Sequence, residues 1–197
     1  MLARFLADQF PGLSLQAVTS RRGSFPSLRF ELGGDISNDD ADERVAQALD
    51  RASAIFEAAF SPEDDGFISF TRWRSDDDPL FLALLPSGSE PSRTEGEDFY
   101  EEGELDAPHV TYTAALRPRS IDYRSLFELI ASSELRPRSP GLDGRSYLVN
   151  ASTPMVLHMY DDRGAMVVGN DENTLGSLRT RFADLDRLVR PLLRGHS

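Results

Sequence analysis

The hydrophobic period changes between residues 28 and 60, and that change constrains the fold more than any other feature. Leu28, Phe30 and Leu32 alternate with Arg29 and Glu31, the period of a half-buried strand. Gly33 and Gly34 end it. Val45, Leu49, Ala52, Phe56 and Phe60 then recur at steps of three or four, which predicts a helix over about 40–60. Asp40, with Glu43 three residues on, has the pattern of a capping box at its start. A one-faced strand next to a one-sided helix must bury both faces in a layered α+β arrangement.

The rest of the chain extends this pattern. Leu2, Phe5, Leu6 and Phe10 give a short amphipathic helix, stopped by Pro11-Gly12. Strands are expected at Phe67–Trp73, Val110–Leu116 and Tyr147–Val149. Met155–Tyr160 and Ala165–Val168 form a hairpin around Asp161–Gly164, where Gly164 is expected to supply a positive φ. Ser120 is expected to cap a helix to about 133, with Leu126, Phe127 and Ile130 inward. Asn170 or Asp171 caps a third main helix over about 171–193, with Leu175, Leu178, Phe182, Leu185, Leu188 and Leu192 as its stripe. Periodicity does not assign the short apolar run Pro79–Leu85.

The uneven order of strands and helices, with no Gly-rich phosphate loop, argues against a doubly wound parallel sheet. The 197 residues suit one domain. The expectation is a single α+β domain over 1–197. A mostly antiparallel sheet of about five or six strands packs against three main helices. Residues 86–107 carry eight acids and one arginine and read as a mobile loop within it.

Composition excludes whole classes of chemistry. There is no cysteine, and all 21 basic residues are arginine. Disulfides, thiol nucleophiles, cysteine zinc sites, a Walker lysine and a lysine Schiff base are therefore absent. An all-arginine basic set reflects GC-rich coding and points to a bacterial source. No apolar run approaches the ~18–20 residues of a membrane helix. The first ten residues lack a signal-peptide core, so the expected location is the cytoplasm.

The net charge of −12 is concentrated: residues 35–105 hold twenty acids against five arginines. Such a surface repels nucleic acid and anionic membranes and attracts basic proteins. Plain solubility is the alternative use of the same charge.

Three constellations are candidates for function. Asp161, Asp162 and Arg163 at the hairpin tip can bind a cation or a basic partner, or can serve the turn alone. Asp98, Phe99, Tyr100, Glu101, Glu102 and Glu104 place aromatics among acids, a pattern suited to gripping a basic, partly apolar partner. On the sheet, His158 and Tyr160 alternate against Met155, Leu157 and Met159. They would share a polar face with His109, Thr111, Thr113 and Arg29, where either histidine could act as base and Arg29, Arg72 or Arg74 hold an anion. No spacing brings three metal ligands together. The loop from Ser61 to Arg72 fails as a calcium site, because Ser61 takes the first ligand position and Arg72 the bidentate glutamate's. No cofactor is implied.

Some of these residues form a recognisable set. They are Leu28-Arg-Phe-Glu-Leu-Gly33, Ala54-Ile-Phe-Glu-Ala-Ala-Phe60, His158-Met-Tyr-Asp-Asp-Arg-Gly164 and Leu185-Asp186-Arg187. Together they resemble a bacterial domain family of unknown function with a Tyr-Asp-Asp-Arg-Gly hairpin followed by a Leu-Asp-Arg helix. The resemblance covers both ends, about half the chain, and implies a fold without a reaction. By analogy with small bacterial families, the functional expectation is an acidic cytoplasmic binding protein, an immunity-type or antitoxin-like inhibitor of a basic partner. The alternative is a small hydrolase or transferase using His158 or His109 and the arginines.

Overall fold

The computed structural model describes residues 1–15, 18, 25–34, 36–72, 79–98, 107–135, 141–142 and 144–185. The elements in chain order are α1 (Leu2–Gln9), β1 (Ser27–Glu31), α2 (Ala41–Ala59), β2 (Gly66–Arg72), α3 (Pro79–Leu84), β3 (Ser92–Asp98), β4 (Ala107–Leu116), α4 (Tyr123–Leu135), β5 (Arg145–Asn150), β6 (Met155–Asp161), β7 (Gly164–Gly169) and α5 (Gly176–Arg181). The strands form one seven-stranded sheet in the order β1-β7-β6-β5-β2-β4-β3, with every pairing antiparallel.

The α+β class and the antiparallel sheet follow the sequence pattern; the strand count does not. The additional strand is β3, inside the stretch expected to be a loop. It pairs with β4 without interruption from Ser92↔Thr113 to Asp98↔Ala107. Its sequence, Ser-Arg-Thr-Glu-Gly-Glu-Asp, has no apolar alternation, because an edge strand with little burial has no inward face to encode. Residues 99–106 lie outside the described residues.

Each face of the sheet has its own core. On one face Leu28, Phe30, Ile68, Phe70, Leu148, Leu157 and Val167 meet α2 and α4. Phe56 is the hub of that contact, 4.5 Å from Tyr123, 4.6 Å from Phe60 and 6.0 Å from Phe127 between ring centroids. The run at Pro79 is helical, and its Phe81 stacks on Phe70 at 4.5 Å. On the other face Leu2, Phe10, Leu15 and Val18 cover Tyr147, Val149, Val156, Met166 and Val168. The amphipathic N-terminal helix is therefore a lid on the second face.

Three helix ends differ from expectation. Asp40 makes no side-chain cap; a 3-10 turn at Asn38–Asp40 leads into α2, and Ser37 Oγ accepts from Asp39 N at 3.2 Å. At α4 the cap is Asp122, which accepts from Ser125 N at 3.1 Å and Ser125 Oγ at 2.7 Å. Ser120 belongs to the 3-10 turn before it, and its hydroxyl donates to Arg117 O at 2.8 Å. Asp171 accepts from Thr174 N at 2.9 Å and so closes a turn rather than a helix; α5 spans only Gly176–Arg181. The rest of the predicted third helix, from residue 186 on, lies outside the described residues.

Candidate functional site

The hairpin between β6 and β7 is docked into the fold. Leu32 N donates to Arg163 O at 2.9 Å, and Gly33 N donates to Asp162 O at 2.8 Å. A Cβ on Gly33 would lie 2.9 Å from Asp162 O and from Arg44 O, so the close approach depends on glycine there. Arg44 reaches from α2 to the Asp162 carboxylate through Nε, and its Nη1 donates to Ile36 O at 3.1 Å. The two side chains are 8% and 2% exposed, which makes this a buried ion pair. Asp161 accepts from Arg163 N and from Arg163 Nε, each at 2.7 Å.

With Asp161 and Asp162 only 4% and 1% exposed, neither presents a carboxylate to a partner. Of the three residues, Arg163 alone is exposed. Gly164 also differs from expectation. Among the described residues positive φ occurs at Gly12 and Gly88. What Gly164 supplies is space, since a Cβ there would lie 2.0 Å from Tyr160 Oη and 2.9 Å from Phe30 O.

His158 does lie on the second face, opposite Met166 of β7, which in turn faces Arg29 of β1. It is 1% exposed. The β5–β6 register runs from Asn150↔Met155 to Leu148↔Leu157. Just past it, His158 Nδ1 donates to Ser146 O at 2.8 Å, so the ring takes up a carbonyl beyond the paired register. The imidazole stacks on Tyr147 at 4.6 Å. Burial pushes its pKa down to about 4; the Ser146 carbonyl and Asp161 act upward, Arg145 downward. Near neutral pH the ring is therefore neutral and screened from solvent.

The other members of the expected polar face are dispersed. His109 faces Gly96 on β3, and its ring fills the space a Cβ there would need. Thr113, not His109, lies on the row of Ser69 and Tyr147. His109 is four residues further along β4, and β4 is three strands from β6. At about 4.8 Å per strand and 3.3 Å per residue, the two histidines are about 14 Å apart across the sheet and about 13 Å along it. They do not converge on one atom. Arg29 donates from Nε to Tyr160 Oη at 3.1 Å and lies over that ring at 5.5 Å. Arg72 follows Ile68 and Phe70 by steps of two and shares their face, away from His158. Arg74, Phe99, Tyr100, Glu101, Glu102 and Glu104 lie outside the described residues, and Asp98 ends β3.

A fourth place was missed. Asp39, Asp40, Asp42 and Glu43, with Ala41, line an open concavity of about 420 Å³ at the head of α2. Four acids within five residues were visible in the sequence, but the capping-box reading absorbed Asp40 and Glu43. Further along, Arg124 pairs with Asp50 at 3.0 Å, Arg119 with Glu63 at 2.9 Å and Arg117 with Asp65 at 3.4 Å, while Tyr123 Oη donates to Glu57 at 2.7 Å. Among the described residues no group of three His, Asp or Glu is placed to hold a metal ion. None of the described helices is long and apolar enough to cross a membrane.

Comparison with known proteins gives one family. The model of a family described as "Domain of unknown function (DUF3885)" matches residues 2–186, so the acidic middle lies within the match as well as the two ends. No curated protein and no solved structure matches the chain.

Proposed function

The chain belongs to the DUF3885 family, and on that premise we propose that it is an acidic binding protein of the bacterial cytoplasm that docks a basic protein partner. The observation that carries this reading is the carboxylate concavity at the head of α2, lined by Asp39, Asp40, Asp42 and Glu43. It sits in the part of the chain that holds twenty acids against five arginines. Charge of one sign around a concave surface focuses the field and speeds encounter with an oppositely charged partner. The acids from Asp98 to Glu104 lie in the same acidic part of the sequence and belong to the binding set in this reading; the hairpin carboxylates do not. The finer form is an immunity-type or antitoxin-like inhibitor, whose acidic surface covers a basic site.

A hydrolase or transferase built on His158 has less support. Its imidazole is buried, hydrogen-bonded to Ser146 O and stacked on Tyr147. General-base work needs reach to a substrate proton.

The test is affinity capture from the native host's lysate, eluted along a salt gradient. A basic protein leaving at moderate salt is the expected result. The D39N/D40N/D42N/E43Q variant should release it earlier in the gradient. Unchanged elution would remove the α2 concavity from the account. The E101Q/E102Q/E104Q variant should slow association; an unchanged on-rate would remove that segment.

A further inference from the structure

The two edges of the sheet are finished differently. At β1 the chain covers its own edge: Glu31 N donates to Leu185 O at 2.8 Å, and Phe182 packs edge-on against Phe30 at 5.9 Å. At the other edge β3 is the last strand, paired on one side with β4 over seven residues. In an antiparallel ladder alternate residues turn their N–H and C=O groups away from the neighbour. Among the described strands β4 is the neighbour that pairs with β3. Chains usually guard such an edge with a proline, a bulge, a short strand or charged side chains. β3 has no proline, spans seven residues and pairs in continuous register.

What distinguishes this edge is its charge. Its seven residues carry Glu95, Glu97 and Asp98 against Arg93. The Arg93 guanidinium pairs with Glu95 next to it on the same strand. A second copy of the chain would bring the same three acids against them, on a protein of net charge −12. That repulsion disfavours self-pairing. A basic extended segment turns the same charges into attraction.

We infer that the outer edge of β3 is a docking edge for a basic extended segment of a partner protein, which adds to the sheet as an eighth strand. This rests on the reading of the partner as basic, and it supplies the mode of binding. Main-chain hydrogen bonds along Ser92–Asp98 give the affinity, and the acidic sequence of the strand selects the sign of the partner. A strand alongside seven residues spans about 23 Å.

The experiment uses the full chain, labelled with nitrogen-15, and a synthetic eight-residue peptide of alternating arginine and threonine. Titration should shift the amides of Ser92–Asp98 and slow hydrogen exchange at alternate positions among them by about tenfold or more. A fully N-methylated counterpart keeps every charge and has no backbone donor; it should bind at least about tenfold more weakly. Glu95→Arg, at a side chain 69% exposed, should keep the fold and also weaken the unmethylated peptide. Equal affinity for the two peptides would overturn the inference, as would no binding at low salt. Shifts confined to Asp39–Glu43 would overturn it too, while leaving a basic partner in place. Failure of the lysate capture with an intact β3 response would instead refute the wider reading.

Discussion

Acid should destabilise this protein through His158, and the size of the effect follows from where the ring sits. The ordinary histidine pKa is about 6.5, and burial lowers that of His158 to about 4. The folded state therefore binds the proton less readily than the unfolded chain. The contribution of the neutral ring is present above about 6.5 and is lost as pH falls from there through about 4. Linkage over that window gives a loss of about 2 kcal/mol at pH 5 and about 3 kcal/mol at pH 4. Carboxylates titrate in the same range, so the reference is a variant without the titration. His158→Phe keeps an aromatic ring against Tyr147 and gives up the hydrogen bond to Ser146 O, at a cost of about 1–3 kcal/mol near neutral pH. Urea denaturation followed by circular dichroism, at constant ionic strength from pH 7 to pH 5, measures both proteins. The wild type's advantage over the variant should shrink by about 2 kcal/mol across that range. A difference constant to within about 0.5 kcal/mol would refute the reasoning, because a ring that charges freely in the folded state is not held between strands.

Three further outcomes follow from the packing. Asp162→Leu should cost about 3–5 kcal/mol by leaving Arg44 charged and buried, and the R44M/D162L double variant should be less destabilised than Asp162→Leu alone in a denaturation cycle. Gly66→Ala places a carbon 2.1 Å from Val149 O at the start of β2, between β4 and β5, so a melting curve should show a loss of about 1–3 kcal/mol or more. Asp122→Ala should cost about 1 kcal/mol through loss of the α4 cap, while Ser120→Ala, outside the cap, should change the melting temperature little.

The elements with buried faces were readable because burial imposes a period. Leu28 and Phe30 on β1, and Val45, Ala52 and Phe56 on α2, keep the spacing their geometry demands. β3 was not readable, since a charged edge strand needs only a neighbour's backbone. The caps were misplaced for a local reason. Asp40, Ser120 and Asp122 are all competent capping residues, and which one is used depends on the 3-10 turns packed before each helix.

The candidate site divides in the same way. The sequence placed His158 on the face opposite Met155, Leu157 and Met159, and Asp162 and Arg163 in a turn, as the structure has them, while Asp161 ends β6. It did not tell whether those groups meet solvent. Burial of Asp162 depends on Arg44 arriving from α2, 118 residues away in sequence. Burial of His158 depends on long-range packing within the fold.

Composition and order alone determined that this chain makes an α+β fold without thiol or lysine chemistry, with its negative charge in the middle third. Those properties are sums over residues or local periods, so one dimension contains them. The tertiary structure decided which carboxylates are interior and which line the head of α2, which histidine is sealed and which lies over Gly96, and which sheet edge the chain closes on itself. Each of these depends on what a distant segment brings to the same place, and the desolvation and pairing that result set the chemistry of a charged group.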